Sequence, residues 1–248
     1  MDLGLQGKAA LVTGASAGIG LGIARALAAE GARVAISSRS RERITAAASE
    51  IGASPHVHDS ADLDAAPALL AQVEDELGPL DVLVTNTGGP PAGDPLGLTR
   101  DQWEAAYRTL VLSPMALIER VVPGMRERSF GRIVNVASSS VREPIPNLLL
   151  SNAHRISMLA AFKTLAGQVA RDGVTLNSVL PGRIDTERLA ELMGSREEAA
   201  RIAAEHVPAG RLGTVEEMAA VAAFLCSVPA GYVTGTAILV DGGLTRAV

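Results

Sequence analysis

Three groups of residues in this 248-residue chain have types and spacings suited to chemistry. The first is the run Thr13-Gly14-Ala15-Ser16-Ala17-Gly18-Ile19-Gly20, which ends an apolar stretch and opens a segment of helical periodicity. Glycines in that setting allow a tight turn and let a phosphate approach the backbone N–H groups at a helix start. The second group is the serine trio Ser138-Ser139-Ser140, followed by Ser151, His154 and Arg155. The spacing places residues 151, 154 and 155 on one helix face. His154 is the member that titrates near neutrality, whereas Arg155 keeps its charge throughout the physiological range. The third group is His56, His58 and Asp59. Two histidines two apart share a strand face, but no further ligand cluster accompanies them, so no metal is expected.

These residues need elements to position them. Apolar runs at 8–14, 33–39, 55–60, 80–89, 131–140, 174–182 and 235–243 read as strands. Between them, 19–31, 41–52, 65–78, 99–128 and 151–173 carry helical periodicity, the fourth disturbed near Pro114 and Pro123. Strict alternation with short loops implies parallel strands joined by crossover helices. The expected fold class is therefore α/β, a doubly wound Rossmann-type sheet forming one domain over residues 1–248. Ligands of such sheets sit at the carboxyl ends of the strands. Here those ends carry TGASAGIG, SSR, HDS, TNTGG, ASSS and LPG. The segment 186–213 is an insertion of helical character after the sixth strand, and the loops 88–98 and 142–147 are stiffened by proline. All three are expected to wall or cover a substrate pocket.

Bulk properties narrow the function classes. The net charge is −5, which argues against general nucleic-acid binding. No apolar run reaches the ~18 residues of a membrane span, and the opening stretch lacks the basic segment and apolar core of a secretory signal. The single cysteine, Cys226, permits no internal disulfide and fits a reducing compartment, so a cytoplasmic location is expected.

The glycine turn is one of several motifs met in order along the whole chain. Thr85-Asn86-Thr87-Gly88 resembles an Asn-Asn-Ala-Gly motif, Leu180-Pro181-Gly182 with Thr186 resembles a Pro-Gly loop and the threonine beyond it, and Val240-Asp241-Gly242-Gly243 resembles a terminal Asp-Gly-Gly. Together they resemble the short-chain dehydrogenase/reductase family, in particular its branch related to 3-oxoacyl-acyl-carrier-protein reductases. The resemblance implies a nicotinamide cofactor, a small-molecule carbonyl or acyl substrate, and assembly into homodimers or homotetramers through the fourth and fifth crossover helices. It assigns the dinucleotide to Gly14, Ser16, Gly18, Ile19 and Gly20 of the first turn. Asn86, Thr87 and Gly88 follow, with Pro181, Gly182, Ile184 and Thr186 at the sixth strand.

The resemblance also sets expectations about cofactor choice. A carboxylate closing the second strand would repel a 2′-phosphate; Ser38 stands there instead, followed by Arg39. A guanidinium suits a phosphate, so NADP(H) is expected. Ala17 departs from this, because many relatives carry a basic residue before the second motif glycine. Asp59 and Ser60 match the adenine-contacting position, although Asp59 could equally cap its own loop.

The acid–base site departs further. In the family an asparagine, a serine, a tyrosine and a lysine share that work. By spacing, Ser138 matches the serine, whereas Leu110, Ser151 and Arg155 fall where asparagine, tyrosine and lysine are expected. Serine is shorter than tyrosine by a ring, so it would reach a substrate oxygen through water. Arg155 retains charge that could hold ribose hydroxyls. Ser138, Ser151 and Arg155 are thus the catalytic candidates of an altered or impaired site. His154 and Tyr107 are the conceivable replacement acids, each more readily explained by packing. The alternative is a cofactor-binding sensor or partner subunit without turnover.

Overall fold

The computed structural model describes residues 1–247. Seven strands form one parallel sheet in the order β3-β2-β1-β4-β5-β6-β7. They span Ala9–Val12 (β1), Arg33–Ser38 (β2), Ser54–Val57 (β3), Val82–Thr85 (β4), Gly131–Val136 (β5), Val174–Pro181 (β6) and Ala237–Val240 (β7). β1, β4 and β5 are buried along their full lengths, as a strand covered by helices on both faces must be. The order of strands reverses between β1 and β4, which opens a crevice at their carboxyl ends.

Two helical layers cover the sheet. On one face lie Gly18–Ala29 (α1) and Arg41–Ile51 (α2), on the other Ala66–Leu77 (α3). The long fourth crossover is Arg100–Tyr107 (α4), a π turn at Arg108–Leu112, and Ser113–Glu127 (α5). It packs beside α3, together with Leu149–Val169 (α6). The sequence leads one to expect disturbance near Pro114, and the π turn is its form. Proline lacks the N–H that would reach the carbonyl of Leu110 and its ring crowds that carbonyl. The backbone widens instead, and the Ser113 N–H reaches Arg108 O. Leu110 is carried on this turn, buried against α6.

The insertion after β6 forms two helices, Glu187–Met193 (α7) and Arg196–His206 (α8). The last helix, Val215–Cys226 (α9), has no counterpart among the expected elements. It is rich in alanine and apolar on nearly every side, so no stripe marks it in the sequence. It is buried against α1, where Gly22 leaves no room for a Cβ beside Val215. No helix among the described residues is long and apolar enough to cross a membrane.

Candidate active site

The glycine turn is held by the neighbouring strand. The Thr13 hydroxyl donates to Asn86 O and accepts from Asn86 N, while Asn86 Nδ2 donates to Gly14 O at 2.9 Å. Gly14 adopts φ +59°, and a Cβ on it would lie 2.5 Å from Asn86 O. A Cβ on Gly20 would meet Asn86 Nδ2 and Gly14 O at 2.6 Å. These glycines therefore let β1, β4 and the start of α1 close together, which any side chain would prevent.

The start of α1, like those of α3, α5 and α6, has no side-chain cap, and it is the one that follows the glycine turn. Ser or Thr side chains cap α2, α4, α7, α8 and α9. Ala17 at the start of α1 offers no cap, and the first turn holds no acidic residue. Unpaired N–H groups and the positive end of the helix dipole are left for an anion. Ala17, Gly18 and Ile19 face a cavity of about 380 Å³, so these residues fit a cofactor diphosphate.

The same cavity is lined by Asn86, Thr87 and Gly88 after β4, by Ser138 after β5, by Ser151 and Arg155 on α6, by Pro181 at the end of β6, and by Gly182, Ile184 and Thr186 beyond it. Sequence-expected residues from five separate segments thus meet in one place. Ser16 and Gly20 do not line the cavity. Ser38, Arg39, Asp59 and Ser60 sit at the carboxyl ends of β2 and β3, outside this cavity. Arg39 is exposed, and Asp59 accepts from the N–H of Ala61, which is the loop-capping role.

Several lining residues were not anticipated. Arg43 on α2 reaches the cavity and pairs with Glu187 of α7 at 3.2 Å. Arg188 donates to Pro90 O at 3.0 Å and lies 3.8 Å from Glu191. The first turn of α7 is thereby tied to α2 on one side and to the 88–93 loop on the other. Glu187 and Arg188 follow Thr186 directly, so their position was legible, but their partners lie 144 and 98 residues away. No residue of the 142–147 loop lines the cavity; Leu148 beyond it does.

Ser138 Oγ accepts from Ser140 N at 3.1 Å, which leaves its own proton free to donate. Ser151 Oγ accepts from Arg155 Nε at 3.2 Å and is likewise left with a free proton. Arg155 also donates from Nη1 to Val136 O at 2.6 Å. The guanidinium is nine-tenths buried, and among the described residues no carboxylate pairs with it. Loss of hydration, with Arg188 nearby, pulls its pKa down to about 10.

The three-residue face expected at 151, 154 and 155 is not formed. Ser151 and Arg155 lie one turn apart and share a hydrogen bond, whereas His154 is rotated toward α4 by the ~100° step of the helix. Its ring meets Trp103 edge-on at 5.4 Å and Tyr107 at 5.8 Å. Burial lowers its pKa, partly offset by a hydrogen bond to the backbone of Trp103. Neither His154 nor Tyr107 lines the cavity; His154 packs against Trp103, and Tyr107 is largely exposed beside it. His56 is explained by Ser54 and Glu76, its Nε2 lying 3.3 Å from the hydroxyl and 3.5 Å from the carboxylate.

An uncapped, glycine-lined helix start at the switch point of a parallel sheet defines a dinucleotide-binding protein of the Rossmann class. A family model described as enoyl-(acyl carrier protein) reductase matches residues 14–245. The chain is 36% identical over 237 residues to an acetoacetyl-CoA reductase of Shinella zoogloeoides, covering 95% of this chain and 98% of that protein. It is 35% identical to a 3-oxoacyl-[acyl-carrier-protein] reductase of Haemophilus influenzae, covering 97% and 99%. The crystal structure of L-sorbose reductase from Gluconobacter frateurii, complexed with NADPH and L-sorbose, superposes with a TM-score of 0.94 at 31% identity over the full length of both chains. The chain belongs to the short-chain dehydrogenase/reductase family.

Proposed function

We propose that the protein is an NADP(H)-dependent oxidoreductase of carbonyl and alcohol substrates, related to the 3-oxoacyl reductases, with an altered acid–base site. The observation that carries this reading is the shared cavity: the uncapped start of α1 and the Ser138–Ser151–Arg155 group open onto the same space. The NADPH named with the sorbose reductase structure supports the cofactor, as do the neutral Ser38 and the guanidinium groups of Arg39 and Arg43 near the expected 2′-phosphate.

When bound, the dihydronicotinamide supplies hydride to the carbonyl carbon. The chain's part is to hold the carbonyl and manage a proton at its oxygen. The free hydroxyl protons of Ser138 and Ser151 suit a carbonyl oxygen, and the charge on Arg155 polarises the Ser151 O–H. Where the family carries tyrosine and lysine, this arrangement offers two hydroxyls and a fixed cation. The proton then comes from ordered water rather than from a phenol. Residues 186–213 act as a lid, and Glu187 and Arg188 hold its first turn closed. The protein works in the cytoplasm as a homodimer or homotetramer, paired through its fourth and fifth crossover helices.

The test has two readouts. NADPH and NADH are titrated by nicotinamide fluorescence, and NADPH should bind more tightly. Oxidation of NADPH is then followed with activated ketones, diketones, quinones and β-ketoacyl thioesters. No tighter binding of NADPH removes the NADP assignment; tight binding with no oxidation by any substrate removes the reductase reading. The latter result would favour a binding protein without turnover, a reading supported by one feature. No histidine, cysteine, tyrosine or lysine lines the cavity.

A further inference from the structure

Two arginines among the described residues are buried and neither pairs with a carboxylate, but Arg132 has three backbone carbonyls and an aromatic ring around it. Arg132 donates from Nε to Ser227 O and from Nη1 to Gly131 O and Gly173 O, and it stacks on Phe130 with its guanidinium carbon 4.3 Å from the ring centre. Arg155 spends Nε on a neutral hydroxyl and Nη1 on one carbonyl. Its Nη2 has no protein acceptor among the described residues, and the side chain lines the cavity. A buried charge without a counter-ion is costly, and folded proteins rarely keep one without a use.

The charge inventory of the cavity wall sharpens this. Three arginines line it, Arg43, Arg155 and Arg188, with two acids, Glu187 and Glu191. Glu187 pairs with Arg43, and Glu191 lies beside Arg188. Arg155 is the cation left over, and it is the most deeply buried of the three. The cavity therefore carries one uncompensated positive charge at its deep wall, with a second guanidinium, Arg188, close enough to repel it.

The cofactor does not meet this need: ribose hydroxyls held by Arg155 would be neutral, and the diphosphate lies elsewhere. Its place is the start of α1, which rises from β1, whereas Arg155 reaches beneath the end of β5 at Val136. β4 separates those strands, so the two positions are about 10 Å apart across the sheet. We propose that Arg155, assisted by Arg188, is the binding site for a carboxylate carried by the substrate, so that the protein acts on oxo or hydroxy acids rather than neutral carbonyl compounds. Nη2 donates to the carboxylate, and the Ser151 hydroxyl faces the neighbouring carbonyl or alcohol oxygen. This assignment of substrate class rests on the oxidoreductase reading, while the anion site itself stands on the geometry of Arg155.

The probes are acetoacetate and its neutral counterpart methyl acetoacetate, titrated calorimetrically into the wild-type protein with and without saturating NADP⁺. A charge-assisted hydrogen bond predicts that acetoacetate binds about tenfold or more tightly than the ester in both states. In Arg155→Met the preference should fall to within about twofold, in Arg155→Lys it should partly survive, and in Arg188→Met it should shrink. Equal affinity for the two probes in wild type overturns the proposal, as does an undiminished preference in Arg155→Met. A preference that vanishes once NADP⁺ is bound identifies the anion as the cofactor's own and also overturns it. If Arg155→Met fails to fold, the wild-type ratio and its change in Arg188→Met decide. If NADP⁺ does not bind at all, the oxidoreductase reading fails, and the ratio in the free protein still decides the carboxylate site.

Discussion

The two buried arginines give opposite stability predictions. Arg155 has its pKa pulled down to about 10, which corresponds to about 3 kcal/mol of folded-state penalty on the charged form. Arg155→Met removes that penalty. It also strips the donor from Val136 O, at a cost of about 1–2 kcal/mol, while the Ser151 hydroxyl can reorient. The net effect on the ligand-free protein is between zero and about 2 kcal/mol of stabilisation. For a chain of this size that raises Tm by up to about 5 °C. Arg132→Met removes three hydrogen bonds to backbone carbonyls, of which Gly173 O keeps the Gly131 N–H, and loses the Phe130 stack, so it should cost about 2–4 kcal/mol and lower Tm by about 5–15 °C. Calorimetric unfolding of both variants beside wild type, without ligand and at neutral pH, makes the comparison. If Arg155→Met falls as far as Arg132→Met, the Arg155 guanidinium is a structural strut, and the uncompensated charge on which the carboxylate site rests does not exist. A stabilised variant that binds its ligands poorly would be the signature of charge kept for function.

Other expectations can be checked on the same protein. The triple variant Ser151→Tyr, Arg155→Lys, Leu110→Asn should reduce a β-ketoacyl thioester with NADPH 10- to 10⁴-fold faster than wild type in kcat/KM. A variant that folds, binds NADPH and is no faster shows that the missing phenol is not what limits turnover. Because no histidine, cysteine, tyrosine or lysine lines the cavity, wild-type kcat/KM should be flat from about pH 6 to 9 and decline as Arg155 loses its proton near pH 10. An acid limb near pH 6–7 would instead bring a histidine into the chemistry. His58 has its pKa lowered by burial, against the opposing pull of Asp59 and Asp62. The unfolded chain therefore binds that proton more readily, so stability should be lost as pH falls below the ordinary histidine value of 6.5. Denaturant midpoints between pH 5 and 7.5 should show that loss diminished in His58→Asn; an unchanged pH slope would remove His58 as its source.

Much of this protein was fixed by local pattern. Alternating apolar runs and helical stretches determined a parallel α/β sheet, because buried strands and amphipathic crossovers have different periods. The glycine turn was legible because only glycine permits φ +59° at residue 14 and the close approach of Asn86 to residue 20. Ser138, Ser151 and Arg155 were placed through the resemblance to the family's acid–base residues, and they line one cavity. What sequence could not determine was direction and partnership. His154 lies one residue from Arg155, yet a 100° step turns it to Trp103 and out of the cavity. Nothing local marks Arg43, and only the fold brings Glu187 to it from 144 residues away. Helix α9 was invisible because a segment apolar all round has no stripe, and only the neighbouring face of α1 gives it a place. The charge state of the cavity was decided last, and only in three dimensions. A sequence shows that an arginine is present, but whether an acid faces it depends on which side chains the fold brings within a few ångströms, and among the described residues it brings none to Arg155.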